Sequence, residues 1–145
     1  MGKVIANEFR LPGNKLVYDQ TNILGTVSQT AGEPTGAIIE SDSNANGEYV
    51  RYADGTQVCW HRDATNRATN VNPTGSYWRT AGFTYTFPMA FVSTPVVSGT
   101  THEATTDAVS ALVRDVTATT CNVRGWGVNS AQSVQHGYIA VGRWF

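Results

Sequence analysis

SNANGEYVRYADGTQVCW, residues Ser43–Trp60, carries the pattern that decides the fold. Two short runs of alternating apolar and polar residues, Glu48–Tyr52 and Thr56–His61, flank an Asp-Gly pair, and this pattern predicts a β-hairpin. A loop of two residues would mix apolar and polar partners on each face of the hairpin. We therefore predict a loop of three residues, Ala53–Gly55, with the glycine in the left-handed region.

The three-residue loop also predicts which side chains share a face of the hairpin. In this register Val50 and Tyr52 lie on the same side as Thr56, Val58 and Trp60. Because tryptophan is highly buried on average, we expect Trp60 to continue the Val58 side into the core.

The remaining sequence predicts an all-β fold. β-Branched and aromatic residues alternate with polar ones in short runs, which Gly, Pro and Asn separate, and apolar residues seldom recur at helical spacing. The further predicted strands are Gly82–Phe87, Pro95–Thr101, Ala108–Asp115, Thr119–Gly127 and Gly137–Trp144.

The first part of the chain has a different pattern from the rest. It runs through KLVYDQTNILGTV into QTAGEPTGAIIE, a stretch broken by Gly and Pro that is typical of a connector. We place a boundary between Pro34 and Ile39 and predict two units, an N-terminal segment of residues 1–36 and a β domain of residues 37–145.

The last predicted strand has two apolar faces. Ile139 and Val141 point to one side, whereas Tyr138, Ala140 and Trp144 point to the other. A strand without a polar face is typically covered on both sides. In a domain this small we expect the second cover to come from another chain.

The composition limits the possible functions. The 145 residues suit one domain with a short appendage, only 14% of them are charged, and the formal net charge is -1. The ten Lys and Arg residues are scattered along the sequence, which argues against nucleic-acid binding. Neither a signal-peptide pattern nor an apolar run of about 18 residues is present. We therefore expect a protein made in the cytoplasm without a signal peptide and without membrane insertion.

Several residues have the chemistry of a sugar site, which combines a flat apolar platform with planar polar side chains. The predicted carbohydrate-binding residues are His61, Arg62, Asp63, Tyr77, Trp78, Arg79 and Trp126. Most of them lie in or beside Arg62–Thr80, the longest irregular region of the sequence. For Trp78 and Trp126 the structural alternative is packing on a sheet. Arg124 and Arg143 have the chemistry to anchor carboxylated or phosphorylated glycans, but the role we expect for both is an exposed or inter-subunit ion pair.

The sequence predicts neither a metal site nor an enzyme. Cys59 and Cys121 lack ligand spacing and are expected to be small buried hydrophobes. His61, His102 and His136 are far apart in the sequence, so only a symmetric assembly would gather one histidine from each chain around a metal. No nucleophile motif, phosphate-binding loop or distinctive carboxylate pair is present. We therefore expect no cofactor and no catalysis.

Three stretches together resemble a known family. These are GEYVRYADGTQ, FPMAF and IAVGRW, and they are similar to the C-terminal domain of bacteriophage and prophage tail-fibre proteins, a domain that is similar to the H-type lectin fold. The resemblance covers about residues 37–145. It implies a small antiparallel β-sandwich that forms a homotrimer at the distal end of a fibre, with residues 1–36 as the end of a stem or neck.

The resemblance also implies a function. A fibre tip in the virion would bind host cell-surface polysaccharide or lipopolysaccharide during adsorption, and the N-terminal segment would join other tail proteins. The family's ligand positions do not align with residues of this sequence, so no ligand residue is carried over. The alternative is a structural domain that trimerises and caps the fibre end without a receptor site of its own.

Overall fold

A computed structural model describes residues 10–12, 15–71, 75–103 and 109–145 of the chain. These residues form fourteen strands and no helix. The strands in chain order are β1 (Arg10–Leu11), β2 (Lys15–Leu16), β3 (Gln29–Thr30), β4 (Glu33–Pro34), β5 (Ile39–Asn44), β6 (Gly47–Tyr52), β7 (Thr56–Arg62), β8 (Arg67–Ala68), β9 (Trp78–Arg79), β10 (Phe83–Thr86), β11 (Val96–Glu103), β12 (Val109–Arg114), β13 (Thr120–Gly127) and β14 (Ser133–Arg143). In the described ranges no helix has the length and hydropathy that a membrane span requires.

The longer strands form two sheets. A six-stranded sheet has the order β11-β14-β7-β6-β5, with β8 beside β14, and a four-stranded sheet has the order β10-β13-β12, with β9 beside β13. All strand pairs in both sheets are antiparallel. The all-β, antiparallel prediction is therefore confirmed. The region Arg62–Thr80, predicted as irregular, contributes the short strands β8 and β9.

The two sheets pack face to face around one core. Side chains from both sheets meet there, together with two residues of the β10–β11 connection. The buried cluster is Tyr49, Cys59, Tyr85, Phe87, Phe91, Cys121, Val123, Tyr138 and Ala140. Cys59 and Cys121 are free thiols with no exposed surface, as the sequence predicts. The core is rich in aromatic rings that meet at tilted or edge-to-face angles, an arrangement that ring quadrupoles favour.

The β6–β7 hairpin has the predicted loop. Val50 lies opposite Val58, and Gly55 has a φ of 92°, so residues 53–55 form the connection and the glycine is left-handed. The expected burial of Trp60 is wrong, however. Tyr49 and Cys59 face the core, whereas Val58 and Trp60 lie half-buried on the outer face of the sheet. The covered face is the more polar one, since it contains the fully buried Gln57 beside Tyr49 and Cys59, so alternation alone predicted the wrong face.

The outer face of the six-stranded sheet carries a connected group of apolar side chains. Val96, Val141, Val58 and Val50 follow one another directly across four strands, and Ile139 lies opposite Trp60 in the next row. Val96 is 80% exposed, Ile139 47% and Val141 44%. We call this surface the apolar face, defined by Val50, Val58, Trp60, Val96, Ile139 and Val141. The predicted opposite orientation of Ile139 and Tyr138 is confirmed, because Tyr138 is buried.

The residues after β14 dock against the β6–β7 loop. The Trp144 amide donates to the carbonyl of Gly55 at 3.0 Å, and the Trp144 indole donates to the carbonyl of Tyr52 at 2.9 Å. Arg143 donates to the carbonyl of Asp54, and Arg51 lies over the Trp144 ring. These contacts hold the last strand at the edge of the sandwich where the hairpin turns.

The segment before β5 is hydrogen-bonded to the sheet. The amides of Ile38 and Ile39 both donate to the carbonyl of Ile23 at 3.0 Å, and Gly25 donates to Ile39 at 3.0 Å. Val27 and Ala37 are buried. These bonds join residues on either side of the predicted boundary at residue 36, and the division into two domains stays a prediction.

Candidate functional site

The outer face of the four-stranded sheet is polar and cationic. Side chains along β13 alternate strictly, so Cys121 and Val123 point into the core while Asn122, Arg124 and Trp126 point outward. β13 is central in this sheet, with β12 on one side and β9 and β10 on the other. Its outward side chains therefore have neighbours on both sides.

Strand register brings two further arginines to this face. Arg79 of β9 lies opposite Trp126, and Arg114 of β12 lies opposite Asn122. Arg124, between them, lies opposite Leu112. Diagonal neighbours in a sheet are about 7–8 Å apart, so the three arginine positions form a diagonal row across the sheet. We call this surface the arginine face, defined by Arg79, Leu112, Arg114, Asn122, Arg124 and Trp126.

The arginines of this face have no carboxylate partner in the described part of the chain. The ion pair in the described residues joins Arg67 of β8 to Asp63, which follows β7, and neither residue belongs to the four-stranded sheet. Arg79 donates to the backbone carbonyl of Thr80 at 3.3 Å. Uncompensated cations at neighbouring sheet positions repel one another, so this face would gain stability from an added anion.

Three polar atoms of the arginine face are covered and have no hydrogen-bond partner among the residues that the structure describes. They are Arg124 Nε, Trp126 Nε1 and Asn122 Oδ1. Asn122 Nδ2 donates to Thr84 Oγ1 at 3.1 Å, and this bond points the amide oxygen away from Thr84. A ligand would reach these donors and this acceptor only after their side chains turn outward, and the three atoms themselves have no hydrogen bond to lose.

Gly82 lets two of these side chains lie close to the backbone. A Cβ at this position would be 2.6 Å from Asn122 Oδ1 and 3.0 Å from Arg124 Nε. Both side chains therefore lie across the glycine. A flat indole, an exposed leucine and planar donors are the parts that a sugar site uses, because the apolar surfaces stack on a ring and the planar groups bond its substituents.

The predicted site residue Asp63 lies in a different cluster. It accepts hydrogen bonds from the Thr65 amide at 2.8 Å and the Tyr85 hydroxyl at 3.2 Å, and it is paired with Arg67. Burial by itself would raise the pKa of Asp63, but the bonds from Thr65 and the charge of Arg67 lower it to about 2. Arg67 in turn covers the Phe83 ring at 3.8 Å. These internal bonds occupy the carboxylate.

The structure separates the other predicted site residues. The His61 ring contacts Tyr85 and Tyr138, and Arg62 lies on the outer face of the six-stranded sheet, where it donates to Gln135 at 3.5 Å. Tyr77 is 54% exposed in the loop before β9. The half-buried Trp78 lies opposite Gly127 and Arg79 opposite Trp126, so these two residues, adjacent in sequence, are on opposite faces.

Sequence reasoning therefore found two residues of the arginine face, Arg79 and Trp126, and missed the rest. For Arg124 the sequence left an acidic-glycan contact as the alternative to the expected ion pair, and Arg114, Asn122 and Leu112 carried no signal of their own. The outward alternation of β13 was the only clue available, and it required knowing which strands flank β13. Across the described residues no group of three or more His, Cys, Asp or Glu side chains is placed to hold a metal ion.

The fold matches a solved fibre structure. An N-truncated R1-type pyocin tail fibre aligns with a TM-score of 0.56 and 22% sequence identity, over 79% of this chain and 98% of that chain. This chain has the fold of a pyocin tail fibre. The predicted resemblance to the C-terminal domain of tail fibres is thereby confirmed at the level of fold, while the H-type lectin likeness stays a prediction.

A longer pyocin fibre gives the same result. The P. aeruginosa R1 pyocin fibre comprising C-terminal residues 323–701 aligns with a TM-score of 0.56 and 20% identity, over 96% of this chain and 41% of that chain. This chain thus spans less than half of the length of the longer pyocin fragment. No known protein family and no curated protein matches the sequence.

Proposed function

We propose that this chain is the receptor-binding tip of a tail fibre, in a phage or a phage-derived particle, and that it attaches the particle to a bacterial surface glycan. The observation that supports the proposal is the fold match with the N-truncated R1-type pyocin tail fibre, an alignment that covers 98% of that chain. In this proposal the chain acts in the virion, and residues 1–36 connect it to other tail proteins.

We propose that the working form is a homotrimer assembled through the apolar face. Single apolar side chains on a surface need no explanation, but a connected group on one sheet is typical of an interface. Val96, Ile139 and Val141 are 80%, 47% and 44% exposed in the isolated chain. Three copies around an axis would remove this surface from water, which the hydrophobic effect favours.

The arginine face supports a receptor role better than a purely structural one. It lies on the opposite side of the sandwich from the apolar face and would point away from the trimer axis. Trp126 and Arg79 are on this face, and both belong to the predicted carbohydrate site. Weak single sites would be sufficient, since three linked copies raise the effective concentration without new contacts.

Binding of the purified protein to immobilised lipopolysaccharides and capsular polysaccharides tests the proposal. We expect saturable binding to at least one of them, and we expect Trp126→Ala to weaken it about tenfold with an unchanged mass by light scattering. Trp78→Ala is the matched variant from the opposite face of β9. A smaller effect of Trp78→Ala would place the site on the outer face.

Two other outcomes would replace the proposal. A folded trimer that binds no polysaccharide and adsorbs to no bacterium would support the structural cap. New reducing ends after incubation with a polysaccharide would indicate a depolymerase, which needs two carboxylates flanking the scissile bond.

A further inference from the structure

We propose that the arginine face binds an acidic polysaccharide, whose carboxylate or phosphate groups pair with the diagonal row of Arg79, Arg124 and Arg114. This inference rests on the proposed function and names the chemical class of the receptor. It does not follow from the overall charge of the chain, which is -1.

The first argument is charge. Arg79, Arg124 and Arg114 occupy successive diagonal positions on one face, and no described carboxylate pairs with any of them. A neutral glycan would leave their mutual repulsion in place. A carboxylate or phosphate group would accept two parallel hydrogen bonds from a guanidinium, which is the geometry that arginine favours.

The second argument is the alternation of cationic and apolar side chains. Trp126 lies directly opposite Arg79, and Leu112, which is 40% exposed, lies directly opposite Arg124. Each of these arginines therefore has an apolar surface beside it. A sugar ring that stacks on Trp126 or Leu112 would hold its acidic substituent next to a guanidinium group. A simple inorganic anion would leave these apolar surfaces unused.

The third argument is the state of the polar atoms. Arg124 Nε and Trp126 Nε1 have no acceptor in the free chain, and Asn122 Oδ1 has no donor. Turning Arg124 or Trp126 toward a ligand costs these N–H groups no hydrogen bond, whereas turning Asn122 would also give up its bond to Thr84. A buried donor or acceptor without a partner is costly. Asn122 Oδ1 would accept from a sugar hydroxyl, and the two N–H groups would donate to an anionic oxygen.

The fourth argument is accessibility. The apolar face and the arginine face lie on the two outer surfaces of the sandwich. If copies assemble through the apolar face, the arginine face stays exposed to the cell surface. Attraction by exposed cations acts over a Debye length of about 8 Å at physiological salt. The site should therefore lose affinity as salt increases.

Matched polysaccharides show whether the protein recognises the acidic groups or the sugar chain that carries them. Polygalacturonate and its methyl ester form one pair, and a phosphomannan and its dephosphorylated form are the second, each measured by calorimetry with the full chain. We expect the acidic member of at least one pair to bind, and its neutral counterpart to bind at least tenfold more weakly. The pair that responds tells whether carboxylate or phosphate is preferred. Equal binding within both pairs, or no binding to either acidic polymer, would overturn the inference.

Charge-neutral variants locate the site. Arg79→Gln and Arg124→Gln should each lower the affinity for the acidic polymer about tenfold. Arg124→Lys should retain more affinity than Arg124→Gln. The control is Arg62→Gln, which makes the same charge change on the outer face of the other sheet and should leave the affinity unchanged. Equal losses in all variants would contradict the assignment to the arginine face.

A geometric variant keeps every charge. Gly82→Ser places a side chain where Asn122 and Arg124 lie. Because both side chains can move away, we expect a folded protein with reduced affinity.

Single-stranded DNA of matched charge is the last comparison. If it binds as tightly as the acidic glycan, the surface is a general polyanion site and the glycan assignment is wrong.

The two proposals can fail separately. If the protein adsorbs to bacteria and the arginine variants adsorb equally well, the receptor role stands and the acidic-glycan site falls. If wild-type protein binds acidic polymers through the arginine face but adsorbs to no bacterium and to no surface glycan, the receptor role falls.

Discussion

Gly55 is required by both its backbone conformation and its neighbours. Its φ is 92°, and a Cβ there would be 2.5 Å from Arg143 Nη2 and 2.8 Å from a Phe145 ring atom. Glycine adopts left-handed conformations without steric cost. The absence of a side chain thus lets the end of the chain pack on the hairpin loop.

Replacing Gly55 with alanine should reduce the free energy of unfolding by about 2–3 kcal/mol, since backbone strain of about 1–2 kcal/mol adds to the contact with Arg143 and Phe145. Gly32→Ala is the matched control, because Gly32 has a φ of 86° but nothing within 4 Å of the added Cβ. That control should lose only the strain, about 1 kcal/mol. Urea denaturation measures both, and equal losses would show that the contact is unimportant.

His136 is a buried histidine with one hydrogen bond. Its Nε2 lies 3.1 Å from Thr80 Oγ1, which accepts from the Gly125 amide at 3.1 Å, and its Nδ1 has no partner. Burial, together with the charge of Arg67, lowers the pKa of His136 to about 4 against the opposing charge of Asp63. The imidazole is therefore neutral in the folded protein at pH 7.

This histidine predicts a loss of stability in mild acid. Above pH 6.5 neither state binds the proton, but between about 6.5 and 4 only the unfolded chain does, so stability falls by up to about 1.4 kcal/mol per pH unit. We expect His136→Gln to flatten the dependence of the urea midpoint on pH between 7 and 5. His102→Gln, at an exposed position, is the control and should retain the slope. A persisting slope in His136→Gln would contradict the assignment.

At the scale of elements, Asp63 joins the end of β7 to two other strands. It is paired with Arg67 at the start of β8 and accepts from Tyr85 in the middle of β10. Because β7 and β10 belong to different sheets, this carboxylate links the two layers of the sandwich. Its contacts are those of a structural residue.

Asp63→Asn should lower the free energy of unfolding at pH 7 by about 1–3 kcal/mol, the usual worth of hydrogen bonds to a charged group. The pKa of Asp63 is lowered to about 2, so the charge stabilises the fold above about pH 4 and this contribution disappears as the pH falls toward 2. The deficit of the variant should therefore shrink between pH 4 and 2. Asp115→Asn, at an exposed position, is the control in urea denaturation and should change little at any pH. If the loss in the free energy of unfolding stays the same at every pH, the missing charge of Asp63 is not its cause.

At the scale of the whole molecule, the two outer surfaces of the sandwich have opposite chemistry. The six-stranded sheet presents the apolar face, and the four-stranded sheet presents the arginine face. An isolated sandwich of this kind would expose a connected apolar surface to water, which favours association.

Val141→Asp should dissociate the assembly, because it buries a charge in the proposed interface. Val141 and Leu112 are 44% and 40% exposed in the single chain, so Leu112→Asp on the opposite surface makes the same change at similar exposure. Light scattering should give the trimer mass for wild type and Leu112→Asp, and the monomer mass for Val141→Asp. A monomeric wild-type protein, or a trimeric Val141→Asp variant, would refute the proposed interface.

The sequence by itself determined the features that depend on local geometry. Alternation located the main strands, the Asp-Gly pair predicted the three-residue loop before Thr56, and the period of two placed Ile139 and Tyr138 on opposite sides. These follow from backbone conformation and the pleat of a strand, which act over a few residues.

Only the tertiary structure decided which face of the β6–β7 hairpin became the core and which polar side chains met. Trp60 lies outside because the second sheet covers Tyr49 and Cys59 instead. Arg79, Arg114 and Arg124 come together because β9 and β12 both pair with β13. The physical reason is that strand pairing joins residues that are distant along the chain, and the pattern of a single strand does not specify its partners.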